Sequence, residues 1–354
     1  MKRSRILQFI LCAICLVTPR AAVAITIPTV LVGDVGNPFD QDGLHSGTVN
    51  YEYRIGTYEV TIGQYAAFLN AVAADDTHDL YELDMTSDLN VAGIARSGTP
   101  GSYSYSVIGS PNKPITNVNF RDALRFCNWL HNGQPSGAQD ASTTENGAYA
   151  LPGTPLQISR TSGARWFLPT ENEWYKAAYY QPAAQGGDVD GYWTYPTRSN
   201  TKPYSDQPPG LDAPTQSNTV NTERDDAIAN GYDDGFAVTG NDIHDSTQNY
   251  LTDVGAYTQS SSHYGTFDQA GNVMEWNETR FQLQNQPRTR IRGGAFDLDS
   301  DMAASYNYMA RGIQVPLSDL GFRVAAIPSV PEPSTLAIAA LGILGLLIAT
   351  RRKR

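Results

Sequence analysis

The sequence predicts an irregular α+β fold. Only three segments combine helical apolar spacing with capping residues, the strand-like segments are short, and two long polar loops separate them. The first helix is expected from about Ile62 to Ala74. Thr61 is its N-cap, Gln64 closes a capping box, and Ile62, Tyr65, Phe68, Leu69 and Val72 form the apolar stripe. The second is expected over Phe120–His131, capped by Asn119 and stopped by Gly133, with Ala123, Leu124, Cys127 and Leu130 inward. The third begins after Thr170, which forms a capping box with Glu173 and turns Trp174, Ala177 and Ala178 to the core. Strands are expected at Tyr51–Ile55, Arg165–Leu168, Val273–Trp276, Arg290–Gly293 and Phe322–Ala325, each bounded by Gly, Pro or Asn. The polar stretches Asn132–Ser162 and Gln181–Ser262 read as ordered loops of the kind that carry function.

Composition supports a folded, loop-rich protein. Against 31 Gly and 21 Pro stand 20 Tyr, 11 Phe and 5 Trp, with 41% hydrophobic and 17% charged residues. The 354 residues allow one large domain or two. Formal net charge is −11; removing the eight cations of the two ends takes it to −19, or to −18 if Glu332 is lost too. Such a surface repels nucleic acid and anionic lipid, and suits divalent cations or neutral sugars.

Both ends read as addresses. Residues 1–24 have a basic start (Lys2, Arg3, Arg5), an apolar run Ile6–Val17 and the small-x-small site Ala22-Val23-Ala24, so a secretory signal cleaved after Ala24 is expected. Cys12 and Cys15 leave with it, and the mature region keeps Cys127 alone, which allows no intramolecular disulfide. At the other end stand Pro331-Glu332-Pro333, an apolar run Leu336–Ala349 and the basic tail Arg351–Arg354. An ordinary C-terminal anchor would use such a run, with a transmembrane helix at about 335–350. Tripeptide, helix and Arg cluster in this order also resemble the PEP-CTERM sorting signal. That resemblance implies recognition by an exosortase in an exopolysaccharide-producing Gram-negative bacterium, with a transient membrane anchor before processing.

Five blocks between the ends stand in one order: Glu59–Asn70 (EVTIGQYAAFLN), Asn117–Leu130 (NVNFRDALRFCNWL), Arg165–Ala178 (RWFLPTENEWYKAA), Tyr264–Trp276 (YGTFDQAGNVMEW), and Arg290–Phe296 (RIRGGAF) with Gly321–Ala325 (GFRVA). Together they resemble the formylglycine-generating enzyme, or sulfatase-modifying factor, domain over Tyr51–Ala326. The resemblance implies a C-type-lectin-like fold, a small twisted sheet flanked by helices and long loops, for a domain spanning residues 25–328.

Catalytic members of that family oxidise a substrate cysteine with copper held by two cysteine thiolates, a soft ligand set that apolar side chains cannot replace. Here the segment from Gly293-Gly294 to Arg311 aligns without a gap and puts Leu298 and Ala303 at the cysteine positions, with Ala295 in place of the usual Ser. Copper is therefore not expected, and no catalytic residue is assigned. Cys127 falls at a buried helix position and reads as a small core hydrophobe.

The resemblance does imply a calcium loop, with the Asp268 side chain, the Gly271 and Val273 carbonyls and the Glu275 carboxylate as ligands, all hard oxygen donors. The competing reading is that Asp268 and Asn272 cap turns while Glu275 pairs with Arg292 or Arg323. A second family site would draw on Asn221 and Asp233. Glu171 and Glu173 fit the first turn of a helix, where its dipole favours them. The five histidines show no paired zinc spacing, and Asp188-Val189-Asp190-Gly191 is a fragment of a calcium loop.

The expected function is an exported, non-catalytic binding or structural protein of the cell surface or extracellular matrix, with exopolysaccharide or a surface protein as partner and no nucleic acid. The alternative is a formylglycine-generating-type oxidoreductase acting on a cysteine of a sulfatase or another protein.

Overall fold

The computed structural model describes residues 24–41, 45–151, 153 and 156–328. The signal region up to residue 23, Pro331, Glu332, Pro333, the apolar run at 335–350 and the basic tail lie outside these. Among the described residues no helix is long and apolar enough to cross a membrane.

The predicted helices form where their caps place them. Ile62–Val72 starts at Thr61, whose side chain accepts from the Gln64 amide while the Gln64 side chain accepts from the Thr61 amide. Phe120–His131 starts at Asn119, and its box closes with Asp122, which the sequence reading missed. Glu171–Tyr179 starts at Thr170 with Glu173 as its reciprocal acceptor. Each box satisfies amides that a helix N-terminus leaves without partners.

The first two helices meet through aromatic rings: Phe68 lies 5.4 Å from Phe126 and 5.2 Å from Trp129, and Phe126 lies 5.5 Å from Phe322. Cys127 is fully buried in this cluster, and burial pushes its thiol pKa well up, as a core hydrophobe's would be.

Two four-stranded sheets carry the rest. The first runs Thr29–Val32, Tyr53–Gly56, Ala325–Ala326, Trp166–Phe167, all antiparallel, so segments from the two ends of the domain flank one central strand. The second runs Met309–Gly312, Gln286–Arg292, Met274–Leu283, Leu320–Gly321, with the last pair parallel. The expected Phe322–Ala325 strand is thus two short pieces in different sheets. Residues 322–324 cross between them, with Phe322 and Val324 accepting from the Val60 and Gly56 amides. At the N-terminal end of the described residues, Gln134 bonds the Ile25 amide at 2.7 Å and the Ile25 carbonyl at 2.9 Å.

The Gln181–Ser262 stretch is not pure loop. It holds two small ladders, Tyr204–Ser205 with Thr219–Val220 and Glu223–Asp225 with Asp234–Phe236. Side chains replace a longer ladder: Asp206 accepts from the Gln207, Asp212 and Ala213 amides. A hairpin, Ile94–Ser97 with Ser104–Val107, and a short helix at Asp84–Ser87 also stand outside the expected elements.

Candidate functional site

The double glycine turns the chain sharply and sets the path of residues 295–303. Gly293 and Gly294 have φ of 108° and 69°, and a Cβ on Gly294 would lie 3.3 Å from the Ala303 amide nitrogen. The backbone therefore passes close over the short helix Ser300–Ala303, which Asp299 caps. Leu298 packs half-buried against the main core, and Ala303 is fully buried with Tyr195, Val220, Ala270 and Ala304. Both positions are filled by apolar packing.

Beneath this turn lies a buried charge cluster. Arg323, 0% exposed, forks onto Glu275, with Nε 2.7 Å from one carboxylate oxygen and Nη2 2.7 Å from the other. Its remaining donors reach the carbonyls of Gly56 at 3.0 Å and Phe267 at 2.8 Å. Trp174 Nε1 also donates to Glu275, at 2.8 Å. Arg292, the other partner considered for Glu275, bonds Glu171 instead at 2.5 Å.

Asp268 and Glu59 complete the cluster. Asp268 sits at φ 59° and accepts from the Gly255 amide at 2.6 Å. Glu59, 2% exposed, lies 4.0 Å from Arg323, and neither of its carboxylate oxygens has a hydrogen-bond partner among the described residues. Three carboxylates thus share one guanidinium. Burial, reinforced by the Asp268 charge, drives the Glu59 pKa well above the usual carboxylate range. Burial also raises Asp268 to about 6, against the opposing pull of the Gly255 amide and Arg323.

The loop that holds Asp268 is tightly tied. Gly271, at φ 83°, could carry no side chain, because its Cβ would stand 2.3 Å from the Asn221 carbonyl oxygen. The Asn272 amide donates to that carbonyl at 2.8 Å, and the Gly271 amide donates to the Gly293 carbonyl at 2.7 Å. Asp268, Gly271, Val273, Glu275 and Asn221 are thereby brought to one region. Asp233 has other partners: Arg224 at 3.0 Å and the Ser205 amide at 2.7 Å. Among the described residues no three His, Cys, Asp or Glu side chains are arranged to hold a metal ion, so a cation here would depend on main-chain oxygens beside Asp268. Those donors suit calcium in type, with Glu275 already shared with Arg323. Sequence reasoning missed Glu59; its signal was a carboxylate just ahead of a capped apolar helix.

A cavity of about 470 Å³ opens next to the Ala303 segment, lined by Asp188, Asp190, Trp193, Asn200, Ser305 and Tyr306 among others. Trp193 is fixed by its Nε1 bond to Gln181 at 3.0 Å, while Tyr306 is 55% exposed. Ring faces beside acceptor oxygens can bind a polyhydroxylated ligand, the rings covering C–H faces and the carboxylates taking hydroxyl protons.

The comparisons with known proteins agree with the motifs. Residues 19–327 match the sulfatase-modifying factor enzyme 1-like domain. Among solved structures the chain is similar to CarF (19% identity, covering 86% of this chain and 99% of that chain, TM-score 0.48). It is also similar to variable protein 1 of Treponema denticola (18%, 87% and 98%, 0.45) and PvdO of Pseudomonas aeruginosa (16%, 85% and 92%, 0.43). No curated protein matches the chain. Residues 329–353 match the PEP-CTERM protein-sorting motif, which implies export, sorting to the cell envelope or surface and processing by an exosortase. The chain belongs to the sulfatase-modifying factor enzyme 1-like domain family.

Proposed function

We propose that this protein is a non-catalytic member of its family, a binding or structural component of the cell surface or exopolysaccharide matrix of a Gram-negative bacterium. The observation that carries the reading is the apolar filling of the two positions that match the family's copper ligands: Leu298 and Ala303 offer no thiolate, and Ala303 is buried among apolar side chains. The mature domain is residues 25–328, released by cleavage after Ala24, on a C-type-lectin-like scaffold whose long loops present the binding surface. A C-terminal helix at 335–350 anchors it in the membrane until an exosortase acts at Pro331-Glu332-Pro333.

The aromatic and carboxylate-lined cavity of Trp193 and Tyr306 is the glycan subsite in this reading. Calcium, held by Asp268 with the Gly271 and Val273 carbonyls and a Glu275 shared with Arg323, would neutralise the excess carboxylate charge and stiffen the loop beneath the double-glycine turn. Asn221 braces that loop; a second site drawing on Asp233 would require Arg224 to give way.

The test is co-sedimentation of the exported protein, as the cell processes it, with the producing cell's own exopolysaccharide in calcium or chelator. Saturable retention that calcium strengthens is the expected result. Absence of retention in both conditions removes the glycan reading.

A further inference from the structure

We propose that the outer face of the Gln286–Arg292 strand is a binding site for an acidic, uronate-type polysaccharide, through Arg288 and Arg290. On a strand, alternate residues share a face, so Arg288, Arg290 and Arg292 stand in one row about 6.8 Å apart. Phe281, opposite Arg288 in the register, lies on the same face. Tyr308 caps the row, 4.8 Å from the Arg290 guanidinium and 5.8 Å from that of Arg292.

These arginines are under-partnered. Nε of Arg288, Nε of Arg290 and Nη2 of Arg292 are buried, and none has a hydrogen-bond partner among the described residues. A buried donor without an acceptor is costly, so the chain itself leaves this row short of acceptors. Among the described residues Glu171 is the carboxylate within ion-pair reach of the row, bonded to Arg292 and 3.8 Å from Arg290, while Glu275, opposite Arg292 in the register, is taken by Arg323. Arg288 has no ion pair among the described residues and Arg290 only the 3.8 Å contact, in a chain whose formal net charge is −11.

Each of the two outer arginines opens onto a cavity. Arg290 lines one of about 520 Å³ with Thr170, Asn172 and Thr279, and Arg288 lines one of about 320 Å³ with Gln314 and Val315. A guanidinium fork matches a carboxylate in bidentate geometry, and a straight row suits a linear polymer that repeats one carboxylate per sugar. Two open charges within an acidic surface are too few for nucleic acid, whose binding draws on many phosphate contacts. The site is separate from the Trp193 cavity. The inference rests on the surface-binding reading only for placing the protein among extracellular polymers.

The experiment measures binding of polygalacturonate, dextran and polyglutamate to the exported protein at low and high salt, for wild type, Arg288→Gln/Arg290→Gln and Arg288→Lys/Arg290→Lys. Polygalacturonate binding that dextran does not share, lost at high salt, is expected to weaken at least tenfold in the Gln pair and partly recover in the Lys pair, at unchanged Tm. Equal affinity of wild type and the Gln pair overturns the site. Preference for polyglutamate, or self-association that the Gln pair abolishes, overturns it in favour of a protein partner. Retention on the cell's own polymer without polygalacturonate binding removes this site and leaves the broader function standing.

Discussion

Two charged regions of this molecule are built in opposite proportions. Around Arg323 three carboxylates, Glu59, Asp268 and Glu275, gather at one guanidinium; around Glu171 two guanidinium groups, Arg290 and Arg292, share one carboxylate, and Arg288 follows next in their row. Burial separates their consequences. The acid cluster is closed, and a closed cluster relieves its excess charge only with protons or a small cation. The arginine row meets two cavities, so its excess charge can be answered by a large anion. One imbalance is suited to holding the scaffold together, the other to recognition.

The largest effect expected from breaking this comparison is Arg323→Met. It strands Glu275 and leaves the Gly56 and Phe267 carbonyls without their donors, which should cost about 3 to 5 kcal/mol. Chemical denaturation would show it, and a loss under about 1 kcal/mol would mean the cluster is not the keystone described.

Next is the pH dependence. Folded Asp268 keeps its proton up to about pH 6, whereas the unfolded chain releases it near 3.8. Between those values the folded state binds more protons, so this group makes stability fall as pH rises. In chelator, Tm should therefore drop between pH 4.5 and 7, and Asp268→Asn should flatten the drop. Calcium at a hundredfold excess over its Kd should restore about 2.7 kcal/mol at neutral pH, and less at pH 5, where protons compete. A calcium response equal at both values would argue against Asp268 as a ligand.

The smallest effect is expected in the arginine row. Arg288→Gln removes no ion pair and should change stability by less than about 0.5 kcal/mol while altering binding. A large loss of stability would make the row structural, like the Arg323 cluster.

Much of the scaffold was legible because local chemistry specifies it. Thr61, Asn119 and Thr170 announce helices by hydrogen bonds made within one turn, and the structure places those helices within two residues of expectation. The Glu275–Arg323 pair was legible only as one of two options, since its partner lies 48 residues away and Arg292 was equally plausible. Glu59 was not legible as buried: its surroundings come from Asp268, Arg323 and Glu275, all distant in sequence. The arginine row had a visible signal, Arg288-Thr289-Arg290-Ile291-Arg292 at strand period, but the expected strand began at Arg290 and hid its length. The Phe322–Ala325 expectation failed because apolar alternation does not reveal that the chain changes sheets there.

The central claim, that this member binds and does not catalyse, is tested most directly by incubating the copper-loaded exported protein with a Cys-x-Pro-x-Arg peptide and following the cysteine by mass spectrometry. The account predicts no formylglycine above the protein-free control, because Leu298 and Ala303 supply no thiolate. Turnover that scales with protein concentration would contradict it and place a copper site elsewhere in the chain.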